Sequence, residues 1–293
     1  MNKVKKVIRE LRKMCTTIHP DLANRIMYFA LMRKKLNIKN PKTFNEKINY
    51  LKMNVFPKDP RVAMCADKVA VVDYVRQKVG EEVLVERYNV WDSPEDIDWE
   101  KLPDSFAIKC NHGCGYNMIC TDKGKLDIDE SMKKLRSWIK EDFWKVSCEP
   151  HYKQITPKIL CERYLGSEIC DYKFYCFDGE PLYFYISQTK EGDFHSGKFA
   201  MFEKDGTFAK FQRADHTFFK LTPPAPDKLA EMLRISRKLS EDFPFVRVDL
   251  FMIDGQILFS ELTFTPCSGM MPLKPVEADE WLGKLIDVNK WKV

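Results

Sequence analysis

Apolar positions in the first sixty residues recur at helical spacing. Val4, Val7, Ile8 and Leu11 form one stripe on an otherwise basic segment, which predicts a first helix. A second helix is predicted over residues 22–34. A third is predicted over 43–53, opening near Thr43 with Asn45 and Glu46 in its first turn. Another runs over 67–79, opened by Asp67-Lys68 and closed by Gly80. The period then shortens. Strands are predicted at 83–87, 105–110 and 118–121, the last two joined by the glycine-rich turn NHGCGYN, before a polar helix over 129–143. Further strands follow at 159–164, 172–177 and 182–187, with Asp178-Gly179 turning the last pair. A hairpin over 199–211 turns at Asp205-Gly206. After Pro223, Pro224 and Pro226, Asp227 caps a helix carrying Leu229, Met232, Leu233 and Leu239. A final hairpin spans 245–269.

Helices mixed with short strands, followed by antiparallel hairpins, predict an α+β fold of two lobes and not a βαβ array. The expected division is a helical segment at 1–60, a first lobe at 61–165 carrying the glycine loop, and a second lobe at 166–293. There is no internal repeat and no low-complexity stretch.

Composition narrows the class. The 293 residues suffice for two lobes with ample cores. The net charge of +5 is spread along the chain apart from the basic start, so no nucleic-acid partner is expected. No apolar run reaches the roughly 18–20 residues of a membrane span. The start, MNKVKKVIRELRKMC, has neither the apolar core nor the cleavage site of a secretory signal. With ten cysteines this predicts a reducing, cytoplasmic setting. The spacing of Cys110, Cys114 and Cys120, and of Cys161, Cys170 and Cys176, is not that of a zinc site; they read as small buried hydrophobes. The basic first helix reads as a solvated helix packed on the protein, with an anionic membrane surface as the alternative contact.

Candidate chemistry collects where charge interrupts strands. In the final hairpin, alternation puts Val246, Val248 and Leu250 on one face and Arg247 and Asp249 on the other. Glu261 lies on the returning strand. Two acids on adjacent strands with a cation nearby suit a magnesium–nucleotide site. Register decides whether they meet. A two-residue turn at Asp254-Gly255 would oppose Asp249 to Ser260 and send Glu261 to the other face; a three-residue loop or a bulge would pair Asp249 with Glu261. Elsewhere, Lys68 sits at a helix start and Lys109 ends an apolar strand ahead of Gly113 and Gly115, a turn through which backbone amides can approach phosphate oxygens. Glu162 lies at a strand end before Gly166. Asp171 and Lys173 share a strand face, where a surface ion pair is the simpler reading.

In order, these segments resemble an ATP-grasp enzyme, and closely the TupA-like ATP-grasp family found among bacterial surface-polysaccharide genes. The resemblance covers roughly residue 40 to the C-terminus, through PKTFNEKI (41–48), DKVAVVDYV (67–75), LPDSFAIKCNHGCG (102–115), DYKFYCFDG (171–179), FPFVRVDLF (243–251) and ELTFTPCSG (261–269). It implies two lobes gripping ATP. It further implies Lys68 and Lys109 on the phosphates under a mobile loop from Gly113 to Gly115, and Glu162 to Leu165 as the adenine hinge. Glu168 would contact the ribose, and Lys173 the terminal phosphates. Asp249 and Glu261 would hold Mg²⁺, with Arg247 on the phosphate or acyl phosphate. Enzymes of this kind phosphorylate a carboxylate and let an amine displace the phosphate. The implied substrates are therefore ATP, a carboxylate-bearing sugar or polysaccharide precursor, and an amine. A glycosyltransferase or sugar-kinase-like activity in the same pathway is the alternative. Three positions depart from the wider pattern: Thr263 where many members carry a metal-binding asparagine, Val72 where arginine is frequent, and Cys114 where serine is usual.

Overall fold

The computed structural model describes residues 3–167, 169–190 and 193–291. Two helices, α1 (Lys3–Ile18) and α2 (Pro20–Met32), lead into α3 (Phe44–Tyr50), α4 (Pro60–Ala66) and α5 (Val71–Val79). The cap of α3 is the one its sequence encodes. Thr43 accepts from the Glu46 amide while Glu46 accepts from the Thr43 amide, satisfying two otherwise orphaned donors. Instead of running straight to residue 53, the helix widens into a π turn at Leu51–Val55. Asp67-Lys68 lies between α4 and α5. There the Asp67 carboxylate accepts from the Val69 and Ala70 amides at 2.7 and 3.3 Å. Sequence periodicity did not announce α4, although Asp59 and Pro60 are an N-cap and a first-turn proline.

The first sheet is antiparallel, in the order β1 (Arg87–Trp91), β4 (Ile159–Arg163), β2 (Phe106–Cys110), β3 (Asn117–Cys120). β1 starts four residues later than predicted, because residues 81–84 form a turn along the other lobe: the Val83 carbonyl accepts from Phe259 N at 2.6 Å. The polar helix divides into α6 (Ile128–Ile139) and α7 (Phe143–Ser147), freeing Glu141 to receive Tyr116 Oη at 2.8 Å and Lys13 Nζ at 3.0 Å. Phe106, Ile108, Leu135, Ile159 and Cys161 make the core of this lobe.

The second sheet runs β10 (Gln256–Thr263), β9 (Phe245–Ile253), β5 (Cys170–Phe177), β6 (Glu180–Lys190), β7 (Asp193–Glu203), again antiparallel. The two-stranded β8 (Gln212–Arg213) and β11 (Leu273–Lys274) lie apart. Helices α8 (Pro226–Ser240) and α9 (Ala278–Gly283) complete the lobe. Stacked Phe174, Phe184 and Phe202 cross the sheet at centroid spacings of 5.1 and 5.0 Å. Each buried ring of this kind contributes about 1.5–3 kcal/mol by leaving water. Phe44, Ile48, Val71 and Val75 join the same core, so α3 and α5 are packed onto the second sheet. The hairpin predicted over 199–211 is smaller than expected. β7 pairs with β6, and beyond Asp205-Gly206 only a bridge from Phe202 to Phe208 remains.

A candidate nucleotide and metal site between the sheets

The β9–β10 hairpin meets one condition of the metal reading by the less obvious route. The turn is a strict two-residue one: Asp254 and Gly255 have φ of 49° and 77°, and Ile253 pairs with Gln256. Such a turn alone would separate the two acids. A bulge between Phe259 and Glu261 absorbs Ser260 as the extra residue, and beyond it Glu261 pairs with Asp249, Leu262 with Val248 and Thr263 with Arg247. Asp249 and Glu261 therefore share a face.

That face is densely paired. Asp249 is fully buried, and Arg247 grips it in a fork, Nε to Oδ1 and Nη2 to Oδ2, both at 2.6 Å. Lys173, its neighbour across the β5–β9 ladder, reaches Oδ2 at 2.8 Å and lies 3.4 Å from Asp171. Arg247 also stands 3.5 Å from Glu261 and donates to Thr263 Oγ1 at 3.0 Å, and that hydroxyl contacts Glu261 at 3.2 Å. Desolvation works to raise the pKa of Glu261, but Lys68, Lys173 and Arg247 outweigh it and bring it down to about 2. Desolvation likewise opposes the charge on Lys173, yet Asp171 and Asp249 keep its pKa above the ordinary lysine value. Burial raises the Asp171 carboxyl against the pull of Lys173.

The turn between α4 and α5 meets this face through Lys68. Its ammonium donates to the Gly113 carbonyl at 2.8 Å and lies 3.6 Å from Glu261. Buried Asn111 fixes the approach by donating to Asp67 at 2.8 Å and to the Thr156 carbonyl at 3.0 Å. Glycine is required twice in the following loop. A side chain at Gly113 would run into the Phe143 and Tyr116 rings at 2.7 Å, and Gly115 has φ of 79°. Cys114 lies exposed between them. Desolvation and then the Glu261 charge raise its thiol pKa, the opposite of an activated nucleophile. Burial lowers the pKa of His112, whose ring nitrogens have no hydrogen-bond partner.

Deeper in the cleft, Lys109 pairs with Glu162 at 2.8 Å, and Arg87 approaches the same carboxylate at 3.6 Å while donating to the Lys68 carbonyl at 2.7 Å. Lys68, Val71, Leu84, Lys109, Phe251 and Ser260 are among the residues facing one another across this narrow cleft, which leaves about 30 Å³ of free space. Both sheets thus contribute, and the apolar members supply a surface on which a flat base could lie.

Of the residues singled out in the sequence, Lys68, Gly113, Lys173, Arg247, Asp249 and Glu261 form one contiguous cluster. Lys109 and Glu162 join it through the cleft. Gly115 closes the loop, and Leu165 follows β4. Glu168 lies outside the described residues. Arg87 was missed; only its pairing opposite Glu162 on β4 marks it. Arg213 and Lys274 lie on the paired strands β8 and β11. Arg213 forks onto Asp215 at 3.0 and 2.6 Å, and His216 meets the same carboxylate at 3.1 Å. Among the described residues no group of three or more acidic, cysteine or histidine side chains forms a metal cage. The donor set of Asp249 and Glu261 fits Mg²⁺, which takes one or two protein carboxylates and completes its shell with phosphates and water.

No curated protein matches the chain. Among solved structures it resembles D-alanine–D-alanine ligase from Bacillus anthracis complexed with ATP, at 17% identity and a TM-score of 0.40 over 69% of this chain and 54% of that one. It also resembles L-amino acid ligase from Bacillus licheniformis, at 11% identity and a TM-score of 0.42 over 76% and 44%. A third is phosphoribosylamine–glycine ligase from Thermotoga maritima, at 12% identity and a TM-score of 0.41 over 69% and 48%. The chain thus spans about half the length of these ligases. The family model described as TupA-like ATP-grasp matches residues 46–287, a range that contains every residue of the cluster from Lys68 to Glu261. The chain belongs to the TupA-like ATP-grasp family, and its two lobes with the cleft between them are an ATP-grasp fold.

Proposed function

We propose that this protein is a magnesium- and ATP-dependent carboxylate–amine ligase acting on a sugar or polysaccharide precursor of the bacterial surface. One observation carries the reading: Lys68, Lys173 and Arg247 surround the opposed carboxylates Asp249 and Glu261, and the Lys109–Glu162 pair lines the same cleft between two sheets. Phosphoryl transfer needs little covalent help from a protein; it needs positioning and neutralised charge. Lys68 and Lys109 bind the nucleotide phosphates, and the loop at Gly113–Gly115 covers them and excludes water. Glu162 to Leu165 borders the base, and Glu168 is assigned to the ribose. Asp249 and Glu261 hold the metal, which when bound supplies Lewis-acid stabilisation of the transferring phosphoryl group.

In this reading Lys173 and Arg247 neutralise charge as an oxygen of the substrate carboxylate attacks the terminal phosphorus and ADP leaves. The amine then attacks the acyl carbon and inorganic phosphate departs, giving an amide. Excluding water protects the acyl phosphate from hydrolysis. Arg213, forked onto Asp215, is assigned to the acid substrate. The precursor class comes from the family resemblance, and the cytoplasmic setting from the ten cysteines.

The test is direct. Purified protein is given Mg-ATP, uronic acids and amino acids, and ADP release and product mass are followed together. ADP formation that depends on both the acid and the amine, with a product lighter than their sum by one water, is the expected result. Turnover of sugar nucleotides without ATP use would replace the ligase by a transferase.

A further inference from the structure

The helical hairpin at the start of the chain is built inside out. On α1 the polar face is the one docked to the body: Arg9 and Lys13 both pair with Glu141, the latter at 3.0 Å, Arg12 donates to the Val146 carbonyl at 3.4 Å, and Thr16 is fully buried. The apolar face is left outward. Val7, Leu11, Met14 and Ile18, spaced at three and four residues, are each more than half exposed. On α2, Ile26 and Phe29 are each 55% exposed, and the two apolar faces meet along a groove lined by Ile8, Leu11, Ala23, Ile26 and Leu31. Nine of the seventeen large hydrophobic side chains exposed among the described residues belong to these two helices. A monomer rarely leaves a patch of this kind uncovered.

Charge identifies what covers it. Residues 1–42 carry twelve lysines and arginines against two acids, a surplus of ten in a chain whose total is +5. The remainder of the protein is therefore net acidic, and all the excess positive charge sits on the segment that displays the apolar face. Arg33, Lys34, Lys35 and Lys39 are exposed just beyond α2. Two copies of so basic a segment would repel each other, which disfavours self-association. We propose that α1 and α2 are a docking surface for an anionic lipid bilayer, lying in its interface with the apolar stripe inserted and the basic residues on the headgroups. Among the described residues no helix is long and apolar enough to cross a membrane, so the contact is peripheral. The proposal is independent of the chemistry assigned to the cleft.

Co-sedimentation of the full chain with phosphatidylcholine vesicles, with and without about one-third phosphatidylglycerol, tests it. Binding is expected to the anionic vesicles only, and to weaken as salt rises from about 0.1 to about 0.5 M. Leu11→Glu with Ile26→Glu removes the apolar contact and is expected to lower partitioning about tenfold or more with melting unchanged, since both positions face solvent. Lys34→Glu with Lys35→Glu is expected to weaken binding to the anionic vesicles specifically. Failure to sediment with anionic vesicles, equal binding to neutral ones, or indifference to the Leu11 and Ile26 pair would overturn the proposal. So would light scattering that shows a dimer dispersed by that same pair, which would make the occupant a second copy.

Discussion

Replacing Asp249 by asparagine tests the cation cluster without altering the shape of the side chain. Asp249 is fully buried and serves two cations, Arg247 through two bonds of 2.6 Å and Lys173 through one of 2.8 Å. Removing one partner from a buried ion pair costs about 3–5 kcal/mol, because the charge left behind is desolvated and unmatched. Two other acids soften the loss: Asp171 remains 3.4 Å from Lys173, and Glu261 remains 3.5 Å from Arg247. The lower end, about 3 kcal/mol, is therefore expected. At roughly 2–4 °C per kcal/mol for a chain of this size, the melting temperature falls by about 6–12 °C. A second change sharpens the test. Lys173→Met alone lowers the melting temperature, but in the Asp249→Asn background it removes a charge matched by Asp171 alone, so the double variant loses less than the sum of the two single losses. Thermal unfolding of the four proteins at neutral pH measures both effects. An Asp249→Asn protein melting within about 2 °C of wild type, or strictly additive losses, would refute the argument that these cations depend on one buried carboxylate.

Three further expectations follow from the same geometry. Because cations hold Glu261 near 2 against an ordinary 4.5, its ion pairs stabilise the fold fully above pH 4.5 and are lost as pH falls toward 2; the melting difference between wild type and Glu261→Gln should narrow across that window, and a constant difference would remove the cations as the cause. Lys109→Met should weaken ATP binding about tenfold in calorimetry while leaving melting nearly unchanged, since Arg87 still faces Glu162; a large melting loss with intact ATP affinity would make Lys109 structural. Arg213→Met should raise the KM for the acid about tenfold and leave ATP affinity alone, and an equal loss of both would place Arg213 on the nucleotide.

Much of the fold was legible because its signals are local. The Thr43–Glu46 capping box, the Asp178-Gly179 and Asp254-Gly255 turns and the alternation around Arg247 and Asp249 each depend on residues within a few positions of one another. The family assignment was legible for a different reason: six weak motifs in fixed order are specific together. What escaped the sequence was set by distant partners. The outward turn of the apolar stripe on α1 is fixed by Glu141, which lies far along the chain and has no sequence signature. Arg87 enters the site only because β1 pairs with β4. The bulge at Ser260 is a condition for the Asp249–Glu261 pair that the sequence leaves open, since a two-residue turn with a regular ladder fits the same letters. Along the same edge strand, Phe259 N donates to the Val83 carbonyl and Gln256 Nε2 donates to the Glu82 carbonyl, so the turn at residues 81–84 covers the strand there.

The ion pairs of the cleft balance a site rich in buried charge. Lys68, Arg87, Lys109, Lys173 and Arg247 face Asp171, Glu162, Asp249 and Glu261, five cations against four carboxylates, each held by a partner of opposite sign. In the ligase reading, phosphate oxygens would take over the ammonium and guanidinium groups, and Asp249 and Glu261, released by them, would be the residues to hold a metal. The protein then avoids exposing an unmatched charge in either state, which is the arrangement that keeps desolvation from opposing binding. Lys68 is the link in that exchange, because it touches the glycine loop at Gly113 and the acid at Glu261 together. Drawing its ammonium toward a phosphate would release the Gly113 carbonyl and Glu261 together, so that the acid would become available as the cation leaves it.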